Sequence, residues 1–184
     1  MNPPARSSPV PAVSVRDATP ADLPAVAAIY AAAARTPATF DLDGHAVAWW
    51  EDVLAAGEPA AGHWLLVAAD AAGVVGYARS TRHKDRPAYA TTVETSVYVA
   101  EDQRGRGVGD ALYSELLDRL DASGLRLAVA GITQPNDPSN RLHRAHGFRA
   151  VGTFTGVGVK LGRAWDVLWF QRPLRAAPPL DGRA

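Results

Sequence analysis

The stretch VYVAEDQRGRGVGDALYSELL, Val97–Leu117, decides the fold of this chain. It opens on a V-x-V pattern that is typical of a strand, and its later apolar residues Val108, Leu112 and Leu116 recur at helical spacing. Between these two parts, in Gly105–Gly109, glycine occupies every second position, which is too often for an ordinary helix. The sequence therefore predicts a strand, a glycine-rich corner and a helix in direct succession.

The glycine-rich corner has the chemistry of an anion site. Glycines let the backbone turn and present free N–H groups at a helix N-terminus, where the helix dipole also favours negative charge. Asp110 stands where a G-x-G-x-x-G dinucleotide motif needs its third glycine, and the Gly-Lys-Ser/Thr ending of a P-loop does not occur. The pattern that fits is R-x-x-G-x-G at Arg104, Gly107 and Gly109, with Arg106 as a second positive charge. We expect a diphosphate ligand, and the alternative is a glycine-rich turn without a ligand.

Strand and helix patterns alternate on both sides of this corner. Period-two alternation predicts strands at 13–19, 63–70, 73–80, 89–99, 125–132, 150–155 and 166–172. Helices are predicted after Thr19 as N-cap, over 45–57, after the glycines, and after Asp137 as N-cap. Hairpins mixed with strand–helix–strand units predict an α/β domain with a mixed, mostly antiparallel central sheet flanked by helices.

Composition limits the classes of function. The chain has 184 residues, 47% of them hydrophobic, and its 19 basic residues balance its 19 acidic ones. A balanced charge predicts neither a nucleic-acid partner nor a membrane partner, because both favour a basic footprint. The absence of cysteine excludes disulfides and thiolate chemistry and agrees with a cytoplasmic location. Residues 1–13 and 175–184 are predicted to be disordered tails around a folded domain over 14–174.

The strand before the corner carries a candidate catalytic carboxylate. Because side chains alternate along a strand, Val93 and Thr95 share the face that suits a core. Glu94, Ser96 and Tyr98 share the other face, so an acid stands among polar neighbours. Glu94 is therefore a candidate general base, and the alternative is an ordinary half-exposed carboxylate.

Four separated motifs resemble one known family. The stretch Val97–Leu117 resembles the acetyl-CoA motif of the GCN5-related N-acetyltransferases, and NDPSNRLHRAHGF resembles the second half of that site. More narrowly, TPATF, RPAYATTVETSVYV, PNDPSNRLHRAHGF and GVKLGRAWDV resemble the phosphinothricin N-acetyltransferase branch, over residues 13–173. The resemblance implies acetyl-CoA as cosubstrate, no metal, and a sheet whose strands splay apart at the acetyl-CoA site.

The resemblance also implies which residues bind acetyl-CoA. The backbone of Val97, Tyr98 and Val99 would lie along the pantetheine arm, and one of its N–H groups would polarise the thioester carbonyl. Asn136 would bind the pantetheine amides, and Ser139 would support the site or contact CoA. The pyrophosphate would lie on the corner made by Arg104, Gly105, Arg106, Gly107, Val108, Gly109 and Asp110.

For catalysis, the resemblance implies direct attack of a substrate amine on the acetyl group. Glu94 would remove the proton of the amine, directly or through water. His143, seven residues after Asn136, would protonate the leaving thiolate or assist Glu94. A packing role is the alternative for His143, and we expect one for His146.

The implied substrate is a small amino acid or a toxic analogue such as phosphinothricin or methionine sulfoximine, and the enzyme would then serve detoxification. Arg86 would bind an anionic group of this substrate, with Tyr89 and Phe40 shaping the walls, although Arg86 also suits a merely solvated loop. The chain departs from the family pattern at Pro37, which has no N–H to donate.

By analogy the assembly is a homodimer with Lys160 and Trp165 at the interface. The alternative functions are acetylation of a peptide N-terminus, a lysine or a polyamine, and acyl-CoA sensing without turnover.

Overall fold

The structure is a computed structural model that describes residues 13–175. Apart from Val13 and Arg175, the two predicted tails lie outside the described residues. One seven-stranded sheet forms the centre, with strand order β1-β2-β3-β4-β5-β7-β6. The strands are β1 Ser14–Asp17, β2 Leu65–Asp70, β3 Gly73–Arg82, β4 Thr92–Val99, β5 Leu127–Gln134, β6 Arg149–Lys160 and β7 Arg163–Pro173. The helices are α1 Leu23–Ala34, α2 Val47–Ala55, α3 Val108–Ala122 and α4 Asp137–Ala145.

The pairing of β4 with β5 sets the geometry of the site. All other neighbouring strands are antiparallel, whereas β4 and β5 are parallel. They pair over only three residue pairs, which end at Glu94 and Val129. Beyond that point the rest of β4 and the rest of β5 separate, and a gap opens in the sheet. The predicted mixed, mostly antiparallel sheet with splayed strands is confirmed.

Two apolar cores lie on opposite faces of the sheet. On one face α3 buries Leu112, Leu116 and Leu120 completely, as their helical spacing predicts. On the other face α1 and α2 enclose a second core around Trp50 and Tyr77, both fully buried. Each large side chain removed from water contributes about 1.5–3 kcal/mol, so these layers fix the orientation of β4 between them. No helix of the described chain is long and apolar enough to cross a bilayer.

Glycines and caps set the ends of two helices. Gly107 is the N-cap of α3 with φ 80°, and Gly124 follows its C-terminus with φ 78°. The predicted N-cap of α4, Asp137, is wrong by one residue: the Asn136 side chain accepts the Ser139 N–H and is the cap. Asp137 is instead the first helical residue, where a carboxylate still stabilises the helix dipole.

The hairpin of β6 and β7 is longer than predicted. Its two strands extend to Lys160 and Arg163 and are joined by Leu161 and Gly162, both with positive φ. Glycines interrupt the alternation that sequence analysis relies on, and the register shifts between Phe154 and Gly158. A bulge accommodates such an interruption without ending the strand.

Candidate active site

A cavity of about 500 Å³ lies beside the gap between β4 and β5. The β4 residues of the polar face, Glu94, Ser96 and Tyr98, line it, as the strand alternation predicts. Phe40 and Trp169 line the opposite part of the wall. A second cavity, of about 350 Å³, lies next to Arg172 and has neither Glu94 nor the glycine corner on its wall. The larger cavity is therefore the candidate active site.

Glu94 presents its carboxylate to this cavity. Its side chain is 40% exposed, and its Oε2 lies 3.2 Å from His83 Nδ1. The His83 ring lies edge-on to the rings of Tyr89 and Trp169, with centroids 5.8 and 6.0 Å away. The sequence does not mark His83 as a site residue, because the loop that follows β3 has no periodic pattern. The arrangement holds one carboxylate at the edge of the cavity with a single side-chain partner among the described residues.

The unpaired part of β4 offers backbone donors to the gap. The Ala100 N–H donates to the carbonyl of Val75 in β3, so the alternation of an antiparallel ladder directs Tyr98 towards β3 as well. The N–H groups of Val97 and Val99 then face the opposite side, where β5 has separated from β4. Backbone N–H groups fixed at such an edge are suited to bind a carbonyl oxygen.

The glycine corner is open at the positions where its backbone is unusual. Gly105 and Gly107 have φ of 75° and 80°, and a Cβ at either position would meet nothing within 4 Å. Because Gly107 caps α3 without a side-chain hydrogen bond, the first N–H groups of this helix are available to an anion. Arg104 beside it is exposed. The corner therefore has open space and backbone N–H donors on its exposed side.

The other predicted members of the corner have partners within the protein. Val108 is buried, and Gly109 packs near Leu142 of α4, where a Cβ would make ordinary van der Waals contact at 3.4 Å from Leu142 Cδ2. The Arg106 guanidinium donates to the side chain of Gln103. Asp110 accepts a hydrogen bond of 2.9 Å from His146 Nε2, which ties the start of α3 to the end of α4.

His143 lies inside the protein, away from the cavity wall. It is 3% exposed, and its Nδ1 donates to the Ser139 carbonyl at 2.8 Å. A neutral ring with its proton on Nδ1 must accept at Nε2, and the Tyr113 hydroxyl donates there at 2.8 Å. The Tyr113 oxygen also lies 3.3 Å from the Thr95 hydroxyl, which lines the cavity. Within residues 13–175, hydrogen bonds connect His143 to the cavity-lining residue Thr95 through Tyr113, and burial lowers the pKa of His143.

Segment 38–41, which carries Phe40, is attached to the β6–β7 hairpin. Lys160 is buried, and its Nζ donates to the carbonyls of Thr39 and Asp41 at 2.7 and 2.6 Å. The Phe40 ring lies on the backbone of Gly158, where a Cβ would be only 2.3 Å from the ring. The Lys160 ammonium thus joins two distant segments of one chain. Burial lowers the pKa of Lys160.

The predicted substrate arginine does not reach the cavity. Arg86 is exposed and Tyr89 is half-buried, and neither lines the wall. The basic residue on the wall is Arg79 of β3, directly opposite Ser96 in the strand register. Strand alternation alone does not predict Arg79 as a site residue, because its place on the face of Glu94 depends on the register between β3 and β4.

No group of three or more His, Cys, Asp or Glu side chains within 13–175 is arranged to hold a metal ion.

Comparison with known proteins gives consistent results. A family model described as "Acetyltransferase (GNAT) family" matches residues 24–148. The chain is 45% identical to a phosphinothricin N-acetyltransferase of Streptomyces coelicolor over 165 residues, which cover 88% of this chain and 96% of the relative. It is 41% identical to an L-methionine sulfoximine/L-methionine sulfone acetyltransferase of Pseudomonas aeruginosa, over 90% of this chain and 98% of the relative.

A solved structure is similar over the same range. The phosphinothricin acetyltransferase (Pat) of Sinorhizobium meliloti in complex with AcCoA superimposes with a TM-score of 0.84. It is 35% identical in sequence, and the match covers 92% of this chain and 94% of that one. The range matched by the family model, residues 24–148, includes β4, β5 and the glycine corner.

Proposed function

This chain belongs to the GNAT family of acetyltransferases, and from that premise we propose that it acetylates the amino group of a small amino acid or amino-acid analogue. It is an acetyl-CoA-dependent N-acetyltransferase. The observation that carries the proposal is Glu94, which faces a cavity of about 500 Å³ beside the gap between β4 and β5. The relatives named above act on phosphinothricin and methionine sulfoximine, which are both amino-acid analogues.

The residues present fit acetyl-CoA. The open, positive-φ glycines and the N-terminus of α3 would hold the pyrophosphate, with Arg104 adding charge. The β4 backbone from Val97 to Val99 would pair with the pantetheine arm, because β5 no longer occupies that edge. Asn136 and Ser139 at the start of α4 would border the same arm.

Glu94 acts as the base for the incoming amine, directly or through a water molecule. An aliphatic amine is mostly protonated at neutral pH, so a proton must leave nitrogen before it forms a bond to the acetyl carbon. That bond forms as the carbon–sulfur bond breaks, and CoA departs as a thiolate. The contact with His83 holds the carboxylate in one orientation during this step.

His143 supports the site indirectly. Its Nδ1–H donates to the Ser139 carbonyl and its Nε2 accepts from the Tyr113 hydroxyl, so the ring fixes this hydroxyl beside Thr95. A proton supplied to the thiolate from this side would pass through Tyr113 and Thr95. We therefore assign His143 a positioning role within the hydrogen-bonded chain of His143, Tyr113 and Thr95.

The assembly we propose is a homodimer formed along β6. This strand is the last in the sheet order, so within the described chain one of its edges is unpaired. The exposed large apolar residues Val151, Phe154, Val157, Val159 and Leu161 lie on it or on its turn. Clusters of this kind mark protein interfaces, and an unpaired edge is a template for a second strand.

We place the enzyme in the cytoplasm, where acetyl-CoA is made and used. N-acetylation removes the basicity of the amino group, so an analogue that must bind its target as an α-ammonium group would lose its potency. Detoxification of such analogues is the role that follows from this chemistry.

Release of free thiol from acetyl-CoA tests the proposed function. Wild type, Glu94→Gln and the surface control Glu58→Gln would be assayed with phosphinothricin, methionine sulfoximine, common amino acids, a polyamine and a peptide. We expect turnover of one or more amino acids or analogues, and a kcat reduced about 10²- to 10⁴-fold in Glu94→Gln alone, since that is the usual contribution of a general base. Turnover of only the polyamine or the peptide, or of no amine at all, would contradict the proposal.

A further inference from the structure

Arg79 is the one basic residue among the described residues that line the cavity. We propose that its guanidinium binds the carboxylate of the amino-acid substrate and so restricts the enzyme to amines that carry an anionic group. This inference rests on the proposed function and adds to it the residue that selects the substrate class. It also places the anion-binding residue on strand β3. Arg86 in the following loop is exposed and does not line the cavity.

The guanidinium of Arg79 has unused donors. Within residues 13–175 its side-chain contacts are with two tryptophan rings, and its five N–H donors have no hydrogen-bonding or ion-pair partner. Its Cζ lies 5.6 Å from the ring centroid of Trp49 and 5.7 Å from that of Trp50. Aromatic rings attract the charge but accept few of these hydrogen bonds, so they hold the group in place and leave its edge available to a carboxylate.

The strand register places Arg79 at a useful distance from Glu94. Arg79 is directly opposite Ser96, and Glu94 is the next residue on the same face of β4. Diagonal neighbours on one face have Cα atoms about 7–8 Å apart, which long side chains bridge. In an α-amino acid the amine and the carboxylate are attached to one carbon. One small substrate can therefore meet Glu94 with its amine and Arg79 with its carboxylate.

Asp41 and Lys160, the other charged groups of this side of the cavity, have hydrogen-bond partners within the protein. Asp41 lines the wall, but its carboxylate accepts hydrogen bonds from the Tyr30 hydroxyl and from His45 Nε2. Lys160 behind this segment donates to two backbone carbonyls. The Arg79 charge also acts on the Asp41 carboxylate, but no hydrogen bond joins the two side chains. An entering anion can therefore accept hydrogen bonds from the guanidinium directly, whereas an amine without an anion leaves these donors without an acceptor in protein or substrate.

A pair of substrates isolates this interaction. The amino acid with the highest turnover and its primary amide, which keeps the amine and the side chain, would be compared by kcat/KM in wild type and in Arg79→Gln. We expect the preference for the acid over the amide to fall by about 10- to 100-fold in Arg79→Gln, because a charge-assisted, two-point hydrogen bond is lost. The loss should appear mainly in KM, since the interaction is made with the bound substrate before reaction.

Three further variants make the result specific. Arg82→Gln on the same strand, an exposed position, should keep the preference of the wild type. Arg79→Lys keeps the charge over the tryptophans but not the two-point geometry, and it should give an intermediate preference. If Arg79→Gln fails to fold, the preference measured in Arg79→Lys decides the test. Arg86→Gln tests whether the loop arginine, rather than Arg79, sets the preference for the acid over the amide.

The outcomes distinguish the inference from the proposed function. If wild type acetylates amino acids but Arg79→Gln and Arg79→Lys keep the full preference for the acid, the inference is wrong and the proposed function stands. The inference is also wrong if Arg86→Gln is the variant that removes the preference. If wild type acetylates no amino acid, the proposed function falls and the inference with it.

Discussion

At the scale of single residues, His143 makes a prediction about stability that is independent of catalysis. Burial lowers its pKa below the ordinary value of 6.5, while in the unfolded chain the ring titrates near that value. Between the two pKa values the unfolded state binds more protons, so the stabilisation is complete above about pH 6.5 and is lost as the pH falls. We expect the free energy of unfolding of wild type to drop between pH 7.5 and pH 5.

Replacement of this histidine isolates its share of the pH dependence. His143→Gln should be less stable than wild type at pH 7.5, but its free energy of unfolding should fall less steeply towards pH 5. Urea unfolding followed by circular dichroism at several pH values measures both curves. Burial also lowers the pKa of His63, but His63 is present in both proteins, so the difference between them reports His143. Parallel curves would show that His143 does not cause the loss.

The residues of the site differ in how far the sequence predicts them. Glu94 follows from strand alternation together with the family motif, because both depend on local spacing. Arg79 and His83 depend on the register between β3 and β4, which brings them to the face of Glu94. The position of Phe40 depends on Lys160, which is far along the chain and anchors segment 38–41. Contacts of this second kind arise from tertiary packing and have no periodic signature.

At the scale of elements, the N-terminus of α3 makes a prediction about acetyl-CoA. Gly107 and Gly124 lie at opposite ends of this helix, both have positive φ, and both have open space where a Cβ would be. Alanine at either position should therefore cost a similar free energy of unfolding, about 1–2 kcal/mol, from backbone strain alone. Only Gly107 belongs to the proposed pyrophosphate site.

The two variants separate strain from binding. Gly107→Ala should raise the Kd of acetyl-CoA about tenfold or more, because the strained corner no longer aims its N–H groups at the pyrophosphate. Gly124→Ala should bind acetyl-CoA as wild type does. Titration calorimetry gives the two Kd values, and thermal unfolding checks that the stability losses match. Equal Kd values for Gly107→Ala and Gly124→Ala would show that the pyrophosphate does not bind at this corner.

The elements themselves were predicted well where one period continues without interruption. The glycine corner and α3 have a clear change of period, and the hairpin of β2 and β3 has a short turn at 70–73, so these parts were correct. The β6–β7 hairpin was predicted too short, because Gly156 takes a positive φ inside the bulge and hides the continuity of the strand. The predicted N-cap of α4 is wrong by one residue because Asn136 and Asp137 are both good capping residues.

At the scale of the whole molecule, β6 would connect the proposed dimer with substrate binding. The same strand supplies Phe154 and Val157 to the cavity wall and exposes Val151 and Val159, which are 61% and 74% accessible. A second copy paired along this edge would lie beside the cavity. Dimerisation would then restrain the wall that faces the amine, while the glycine corner on α3 would be unaffected.

A charge placed on this edge should therefore separate the chains and weaken amine binding together. We expect Val159→Glu to reduce the molar mass in solution from that of two chains to that of one, since it buries a carboxylate in the proposed interface. Because the cavity wall loses its support, KM for the amine should rise while the Kd of acetyl-CoA stays unchanged. Light scattering after size exclusion measures the mass, and Ala71→Glu, in the exposed turn between β2 and β3, is the control. A wild type with the mass of one chain, or a Val159→Glu variant that keeps the mass of two, would show that β6 does not form the interface.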